Sequence, residues 1–120
     1  MNIMLDSITV FHYGGEKFKL PSNLVRYIEF QNTVVFLLDE NGKRDKIIGV
    51  KFSQSGGINH FYIDWEFQII DGIGTIYTIH GMWKENFNDQ EVIVCYSGSF
   101  DIQFYLNPED GEVINKIPIK

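Results

Sequence analysis

Apolar and polar residues alternate with a period of two along most of the chain, which is typical of β-strands with one buried side. The longest such segment runs from His60 to Ile70. The positions that we expect to face the core are Phe61, Ile63, Trp65, Phe67 and Ile69. The positions that we expect to face outward are His60, Tyr62, Asp64, Glu66 and Gln68. This pattern predicts one long strand with an acidic outer side.

Glycine and asparagine interrupt the alternation and predict the turns. The glycine pair at 14–15 predicts a first hairpin, and the Asn-Gly pair at 41–42 predicts a second, because both supply positive φ angles. We expect loops at residues 53–59 and 84–90, where polar residues replace the alternating pattern. The chain therefore divides into short strands joined by short connections.

Composition favours the same class of fold. The 120 residues include no alanine, the best helix former, but 17 isoleucines and 8 valines, which suit β-strands. Residues 34–38 are apolar at every position, which indicates a strand covered on both faces. The sequence predicts a single all-β domain over residues 1–120. We expect an antiparallel sandwich or a partly open barrel of about eight to nine short strands, with at most one short helix.

Charge is distributed unevenly along the chain, whose formal net charge is −6. Residues 52–115 contain ten acids and a single base, Lys84. Such a segment creates a negative field that attracts a basic partner and accelerates its association. The acidic balance and the lack of clustered Lys and Arg argue against nucleic-acid binding.

Several other classes of protein are disfavoured. No apolar run reaches the roughly 20 residues of a membrane helix, and the first residues carry no secretory signal pattern. A single cysteine, Cys95, cannot form a disulfide within the chain. We therefore expect a cytoplasmic protein that does not bind membranes.

Candidate chemistry is sparse in this sequence. Cys95 could act as a nucleophile with His12 or His80 as its base, but its apolar setting is more typical of a buried, inert thiol. The three histidines are widely spaced and form no metal-binding motif. Asp64 and Glu66 have the spacing of a glycosidase pair, yet exposed acids two apart on a strand are common. We expect no catalysis, no metal and no cofactor.

Two segments resemble a group of small bacterial β proteins of unknown function. The phrase V-V-F-L-L-D-E-N-G-K-R-D-K-I-I at residues 34–48 resembles their opening hairpin, and residues 104–114 resemble their closing hairpin. The chain departs from the group's pattern between Phe52 and His60, where it carries an extra loop. The resemblance implies a small cytoplasmic β protein whose hairpins are similar to propeller blades, and it assigns no catalytic residue.

These observations predict a non-enzymatic acidic binding protein. The most concrete hypothesis is an immunity or antitoxin type of inhibitor that neutralises a basic toxin domain, such as a nuclease, by charge complementarity. The candidate partner-binding residues are the carboxylates Asp64, Glu66, Glu85, Asp89, Glu91 and Asp101, with Tyr62 and Trp83 as aromatic anchors. The alternative is a small-molecule-binding or sensory β module with a deep apolar pocket. A homodimer formed through an edge strand is also compatible with this fold class.

Overall fold

Thirteen antiparallel strands form four sheets in the computed structural model, which describes residues 3–40 and 42–119. The predicted all-β antiparallel class is confirmed, and the strand count is higher than expected because some predicted strands are divided. This part of the chain includes no helix of the length and hydropathy that crossing a bilayer requires. The strands are β1 (Met4–Leu5), β2 (Val10–Tyr13), β3 (Glu16–Lys19), β4 (Asn23–Glu29), β5 (Val34–Glu40), β6 (Lys43–Ser55), β7 (Ile58–Phe67), β8 (Ile69–Ile70), β9 (Ile76–Tyr77), β10 (Gly81–Phe87), β11 (Gln90–Ser97), β12 (Ile102–Leu106) and β13 (Val113–Pro118).

Two four-stranded meanders form the body of the molecule. Strands β4 to β7 follow one another across the central sheet, and β10 to β13 do the same in the second sheet. The second sheet packs on one side of the central sheet, while the small β1–β3 sheet packs on its other side. Strands β8 and β9 pair within the connection between the two meanders. The result is a sandwich whose central sheet is covered on both faces.

The largest apolar cluster lies between the two four-stranded sheets. It includes Ile28, Val35, Leu37, Ile47 and Trp65 from the central sheet and Met82, Ile93, Cys95, Phe104 and Leu106 from the second sheet. These side chains come from one side of each strand, as alternation predicts for a half-buried sheet. Their burial is the main apolar contribution to the docking of the two sheets.

A second cluster lies between the central sheet and the small sheet. Phe11 is fully buried in it and contacts the rings of Phe18, Phe36 and Phe61, with centroid distances of 5.4, 5.0 and 5.1 Å. Since β5 contributes to both clusters, residues 34–38 are buried at every position. The prediction of a strand covered on both faces is confirmed.

Trp65 connects the central sheet to the β12–β13 turn of the second sheet. Its indole Nε1–H donates a hydrogen bond to the carbonyl oxygen of Pro108 over 3.0 Å. A Cβ atom added to Gly49 or to Gly111 would overlap the Trp65 ring, so the ring lies against both glycine backbones. Glycine is required at these two positions because any larger residue would displace the indole.

A β-bulge interrupts the predicted alternation in β7. Val50 pairs with Ile63 and Gly49 pairs with Trp65, so Asp64 is an extra residue without a partner in β6. An extra residue reverses the sides that the following side chains face. Ile63 therefore faces the side of the small sheet, while Trp65 enters the core between the large sheets.

The prediction of one uninterrupted strand from His60 to Ile70 is thus wrong in two respects. The bulge separates the predicted inward set, because Phe61 packs against the small sheet whereas Trp65 and Phe67 pack against the second sheet. In addition, strand β7 ends at Phe67, and the rest of the predicted strand belongs to the separate short strand β8. Alternation alone carries no signal for either change, since it does not reveal the register of the neighbouring strand.

Two predicted loops are hairpins. Strands β6 and β7 continue through much of residues 53–59, and the turn between them contains the glycines at 56–57. Strand β10 extends to Phe87, and Asn88 and Asp89 form the turn to β11 with φ angles of 52° and 63°. Positive φ at both central positions is characteristic of a tight type I′ turn, and Asn and Asp tolerate it better than most residues. The glycine turn at 14–15 is confirmed, while Asn41 of the other predicted turn lies outside the described residues.

Strand β13 is an edge of the second sheet, and its side chains are mostly exposed. Val113, Ile114 and Ile117 are each close to 40% exposed. Pro118 lacks a backbone N–H and so limits the addition of a further strand at this end. Pairing of two copies through an edge strand stays a prediction.

Candidate partner-binding face

The second sheet carries an apolar cluster on the side that faces away from the sandwich. The fully buried side chains of Val92 and Val94 are covered there by Trp83, Phe87 and Tyr105. Tyr96 extends the row, with its ring centroid 5.9 Å from that of Trp83. We call this surface the outer aromatic face; it consists of Trp83, Phe87, Val92, Val94, Tyr96 and Tyr105. Amphipathic aromatic rings on a free sheet surface are the residue type most often found at the centre of protein interfaces.

The charge around the outer aromatic face is negative. Among the described strand residues, register and alternation place a single charged side chain on this side of the sheet, Glu85 opposite Val92. Asp89 lies in the turn at one end of β11, and Asp101 lies in the turn at its other end. Lys84 faces the opposite side, where its Nζ lies 4.7 Å from the centroid of the Phe30 ring. An apolar surface with a carboxylate rim is complementary to a basic partner.

The area of the outer aromatic face is smaller than that of a typical protein interface. Four strands about 4.8 Å apart, each contributing about seven residues at about 3.3 Å, give a surface of roughly 350 Å². A stable protein interface covers roughly 800 Å² on each partner. Contacts would therefore have to extend beyond the aromatic residues to the acidic turns that contain Asp89 and Asp101.

The structure brings four predicted site residues to this surface and places the others elsewhere. Trp83 and Glu85 lie on the face, and Asp89 and Asp101 lie in the turns that limit it. The remaining four are Tyr62, Asp64 and Glu66 on β7 and Glu91 on the inner side of β11. The bulge at Asp64 and the pairing of Glu66 with Ile48 direct the two β7 carboxylates to different sides of the strand.

Lysines neutralise the predicted acids that lie outside the outer aromatic face. Lys51 Nζ is 3.1 Å from Asp64, Lys46 Nζ is 3.8 Å from Glu66, and Lys84 Nζ is 3.6 Å from Glu91. The pairs of Asp64 and Glu66 reduce the negative potential that the sequence predicts for β7. The acidity of the central strand is consequently weaker than a count of its acids indicates.

Lys51 also links β7 to the β12–β13 turn. Its Nζ donates to the carbonyl oxygen of Glu109 over 2.7 Å and lies 3.5 Å from the Glu109 carboxylate. Partial burial acts to lower the pKa of Lys51, but Asp64 and Glu109 together raise the pKa above its usual range by hydrogen bonding and charge. Asp64 therefore has a structural partner in the folded chain.

The predicted partner-binding set lacks five residues of the outer aromatic face: the aromatic residues Phe87, Tyr96 and Tyr105 and the valines Val92 and Val94. Phe87 is not predicted as a site residue because the sequence predicts a loop at residues 84–90. A signal was present, since Trp83 and Phe87 are four apart and so share one side of a strand. The Asn-Asp pair that closes the hairpin is a weaker turn signal than Asn-Gly, which obscured the strand.

Cys95 and its two candidate bases, His12 and His80, have different surroundings. Cys95 is fully buried between the large sheets, and burial raises the pKa of its thiol to about 12. The thiolate required for nucleophilic attack is therefore scarce at neutral pH. His12 lies 3.2 Å from Asp6 in the small sheet, while His80 Nδ1 accepts a hydrogen bond from the Gly98 N–H over 2.9 Å.

Asp71 organises the turn between β8 and β9. Its carboxylate accepts hydrogen bonds from the N–H groups of Thr75 and Ile73 and from the Tyr77 hydroxyl, each over 2.9 Å. The hydrogen bond from Thr75 is the largest cause of the lowered pKa of Asp71, and the carboxylate in turn raises the pKa of Tyr77. Hydrogen bonds to the charged form favour that form.

We expect acid to loosen this turn. Because the pKa of Asp71 is lower in the folded chain, its stabilising contribution is complete above the unfolded-state pKa, near 4, and is lost as the pH falls through the folded-state pKa. Amide hydrogen exchange at Ile73 and Thr75 should therefore become relatively faster below about pH 4, after correction for intrinsic rates. Asp71→Asn should remove this pH dependence. Retention of the same acid response in the variant would contradict the assignment.

Comparison of the chain with models of protein families, with curated proteins and with solved structures gives no match.

Proposed function

We propose that this chain is a non-enzymatic binding protein of the immunity or antitoxin type, which neutralises a basic toxin domain in the cytoplasm. The observation that carries the proposal is the outer aromatic face with its rim of carboxylates. The chain would bind through this face rather than through the lysine-paired acids of β7.

The aromatic residues would supply most of the binding free energy. A few large side chains usually dominate an interface, and Trp and Tyr are enriched among them. Trp83 and Tyr96 are half-buried, so their rings are supported by the sheet and still accessible to a partner. Such rings lose little side-chain entropy on binding because neighbouring groups already restrict them.

The carboxylates would supply steering and selectivity. Glu85, Asp89 and Asp101 form no ion pair within 4.0 Å in the part of the chain that the structure describes. They therefore offer their charge to Lys and Arg side chains of a partner. A nuclease toxin exposes such side chains where it binds phosphates, so covering them would block its substrate.

The hypothesis is tested with the protein encoded beside this gene, where a toxin partner is expected. Trp83→Ala should weaken the complex by about 30-fold or more, which corresponds to about 2 kcal/mol for the loss of a central aromatic anchor. Glu85→Lys should slow association by about tenfold at low salt, since it reverses a rim charge. Association and dissociation rates are measured by surface plasmon resonance between 50 mM and 500 mM salt, over which screening of the steering charges increases.

Ile73→Ala is the matched control, because Ile73 is 89% exposed in the β8–β9 turn and belongs to a different surface. It should leave both rates unchanged. Glu85 is exposed, so its variant should fold even if Trp83→Ala proves unstable. A complex that forms equally well with Glu85→Lys, with a rate that does not depend on salt, would refute charge complementarity. Failure of the two folded proteins to associate would refute the immunity assignment.

A further inference from the structure

A cleft of about 260 Å³ opens at one edge of the sandwich, near the beginnings of β4, β6 and β10. Arg26, Arg44 and His80 line it, and they include both arginines of the chain. Its apolar wall is formed by Val25, Leu37 and Met82. A small, open cleft that combines apolar side chains with a few convergent polar groups has the composition of a small-molecule site.

Strand geometry brings the two arginines to the same side. Strands β4 and β6 flank β5, so they lie about 10 Å apart. Arg26 pairs with Leu37 and shares its side of the central sheet. In β6 the extra residue Asp45 reverses the alternation, so that Arg44 also faces the second sheet rather than the small sheet.

Backbone hydrogen bonds fix His80 beside Arg44. The Ile79 N–H donates to the Arg44 carbonyl oxygen over 2.6 Å, and the His80 N–H donates to the Tyr96 carbonyl oxygen over 2.8 Å. Since His80 Nδ1 accepts from the Gly98 N–H, the hydrogen of the neutral ring is on Nε2. The second sheet thus contributes a donor to a cleft whose arginines come from the central sheet.

The arginines are available to a ligand. Neither Arg26 nor Arg44 has a carboxylate oxygen within 4.0 Å among residues 3–40 and 42–119, although the chain carries a net charge of −6. Asp39 lies opposite Arg44 in the β5–β6 pair and is the nearest candidate competitor by register. Guanidinium groups bind carboxylates and phosphates through paired hydrogen bonds, which makes an oxyanion their preferred ligand.

We propose that the cleft is a binding site for a small organic anion, which presents a carboxylate or a phosphate to Arg26, Arg44 and His80. A short apolar group of the ligand would contact Val25, Leu37 and Met82. The site borders the outer aromatic face, since the ring centroid of His80 lies 6.1 Å from that of Tyr96, but none of its lining residues belongs to that face, so its existence does not depend on the proposed inhibitor function. It gives the chain a second recognition surface whose charge is opposite to that of the first.

Four probes test the site: inorganic phosphate, phenyl phosphate, acetate and benzoate. Binding is followed by two-dimensional NMR of the folded chain, with the Gly98 amide as a reporter of the His80 ring and the arginine Nε signals as direct reporters. We expect saturable shifts at these groups. Phenyl phosphate should bind more tightly than phosphate, and benzoate more tightly than acetate, because of the apolar wall. Whichever of phenyl phosphate and benzoate binds more tightly identifies phosphate or carboxylate as the group that the site prefers.

Variants with opposite expected effects locate the binding site. Arg26→Gln and Arg44→Gln should each weaken binding of the best probe by about tenfold, since each removes a charged donor. Asp39→Asn should tighten binding by about two- to fivefold because it removes a competing carboxylate. Lys19→Gln, at an exposed position of β3, is the control for loss of one positive charge and should have no effect.

Two results would overturn the proposal. The first is the absence of saturable shifts at Gly98 and the arginines with all four probes up to tens of millimolar. The second is saturable binding that Lys19→Gln weakens as much as Arg26→Gln and Arg44→Gln, since that would show general attraction to positive charge. Both arginines are exposed, so their variants are expected to keep the fold, and thermal unfolding verifies it.

Discussion

Replacing Trp65 with alanine should lower the free energy of unfolding by about 4 kcal/mol. The residue is 8% exposed, and removal of a buried tryptophan leaves a cavity that typically costs about 3–5 kcal/mol. The loss should exceed the lower limit of this range because the Pro108 carbonyl oxygen also loses its donor in a buried setting. Urea denaturation followed by far-UV circular dichroism measures the change without relying on Trp65 fluorescence.

Trp65→Phe separates packing from hydrogen bonding. Phenylalanine retains an aromatic ring between Gly49 and Gly111 but has no N–H group, so this variant should lose about 1–3 kcal/mol. It also gives a folded sample if the alanine variant proves too unstable to study. A loss below about 1 kcal/mol in the alanine variant would show that Trp65 does not connect the two sheets in solution.

The second large effect is expected at Phe11, where alanine should cost about 3–4 kcal/mol. Phe11 is fully buried beneath the small sheet and contacts the rings of Phe18, Phe36 and Phe61. Its loss should release the small sheet preferentially, since few other buried residues hold that sheet. Native-state hydrogen exchange should therefore show lost protection in β2 and β3 while protection in β11 and β12 persists.

Phe18→Ala is the matched control in the same cluster. Phe18 is half-buried, so its truncation should cost no more than about half as much as that of Phe11. If Phe11→Ala instead lowers protection in β11 and β12 to the same extent as in β2 and β3, the small sheet and the sandwich unfold as one cooperative unit. That result would contradict preferential release.

Much of the fold could be predicted because local patterns determine it. The apolar run at residues 34–38 indicates a doubly covered strand, and the glycines at 14–15 indicate a hairpin turn; both are confirmed. The bulge at Asp64 could not be predicted, since it arises from the register with β6 and not from a residue preference. The strand before Asn88 could not be predicted for a different reason: its turn adopts positive φ without glycine, so it lacks the usual sequence signal for a hairpin.

The candidate sites depend more strongly on contacts between distant residues. Trp83 and Glu85 are predicted site residues only as an aromatic beside an acidic loop, since the sequence predicts a loop at residues 84–90 and so does not place them on one side of a strand. The neutralisation of Asp64 by Lys51 depends on the pairing of β6 with β7, which the sequence does not specify. Similarly, Arg26 and Arg44 line one cleft because the strands that carry them, β4 and β6, both pair with β5.

The consecutive order of strands within each meander affects how the protein is made. All strands of the small and central sheets lie before residue 68, and all strands of the second sheet lie after residue 80. Pairing of successive strands requires only short loop closures, which are the fastest to form. On the ribosome, the first two sheets can therefore assemble while the remaining chain is still being synthesised. Until the second sheet emerges, the newly formed layer exposes the apolar side that Trp65 occupies, which makes this interval the one most open to aggregation.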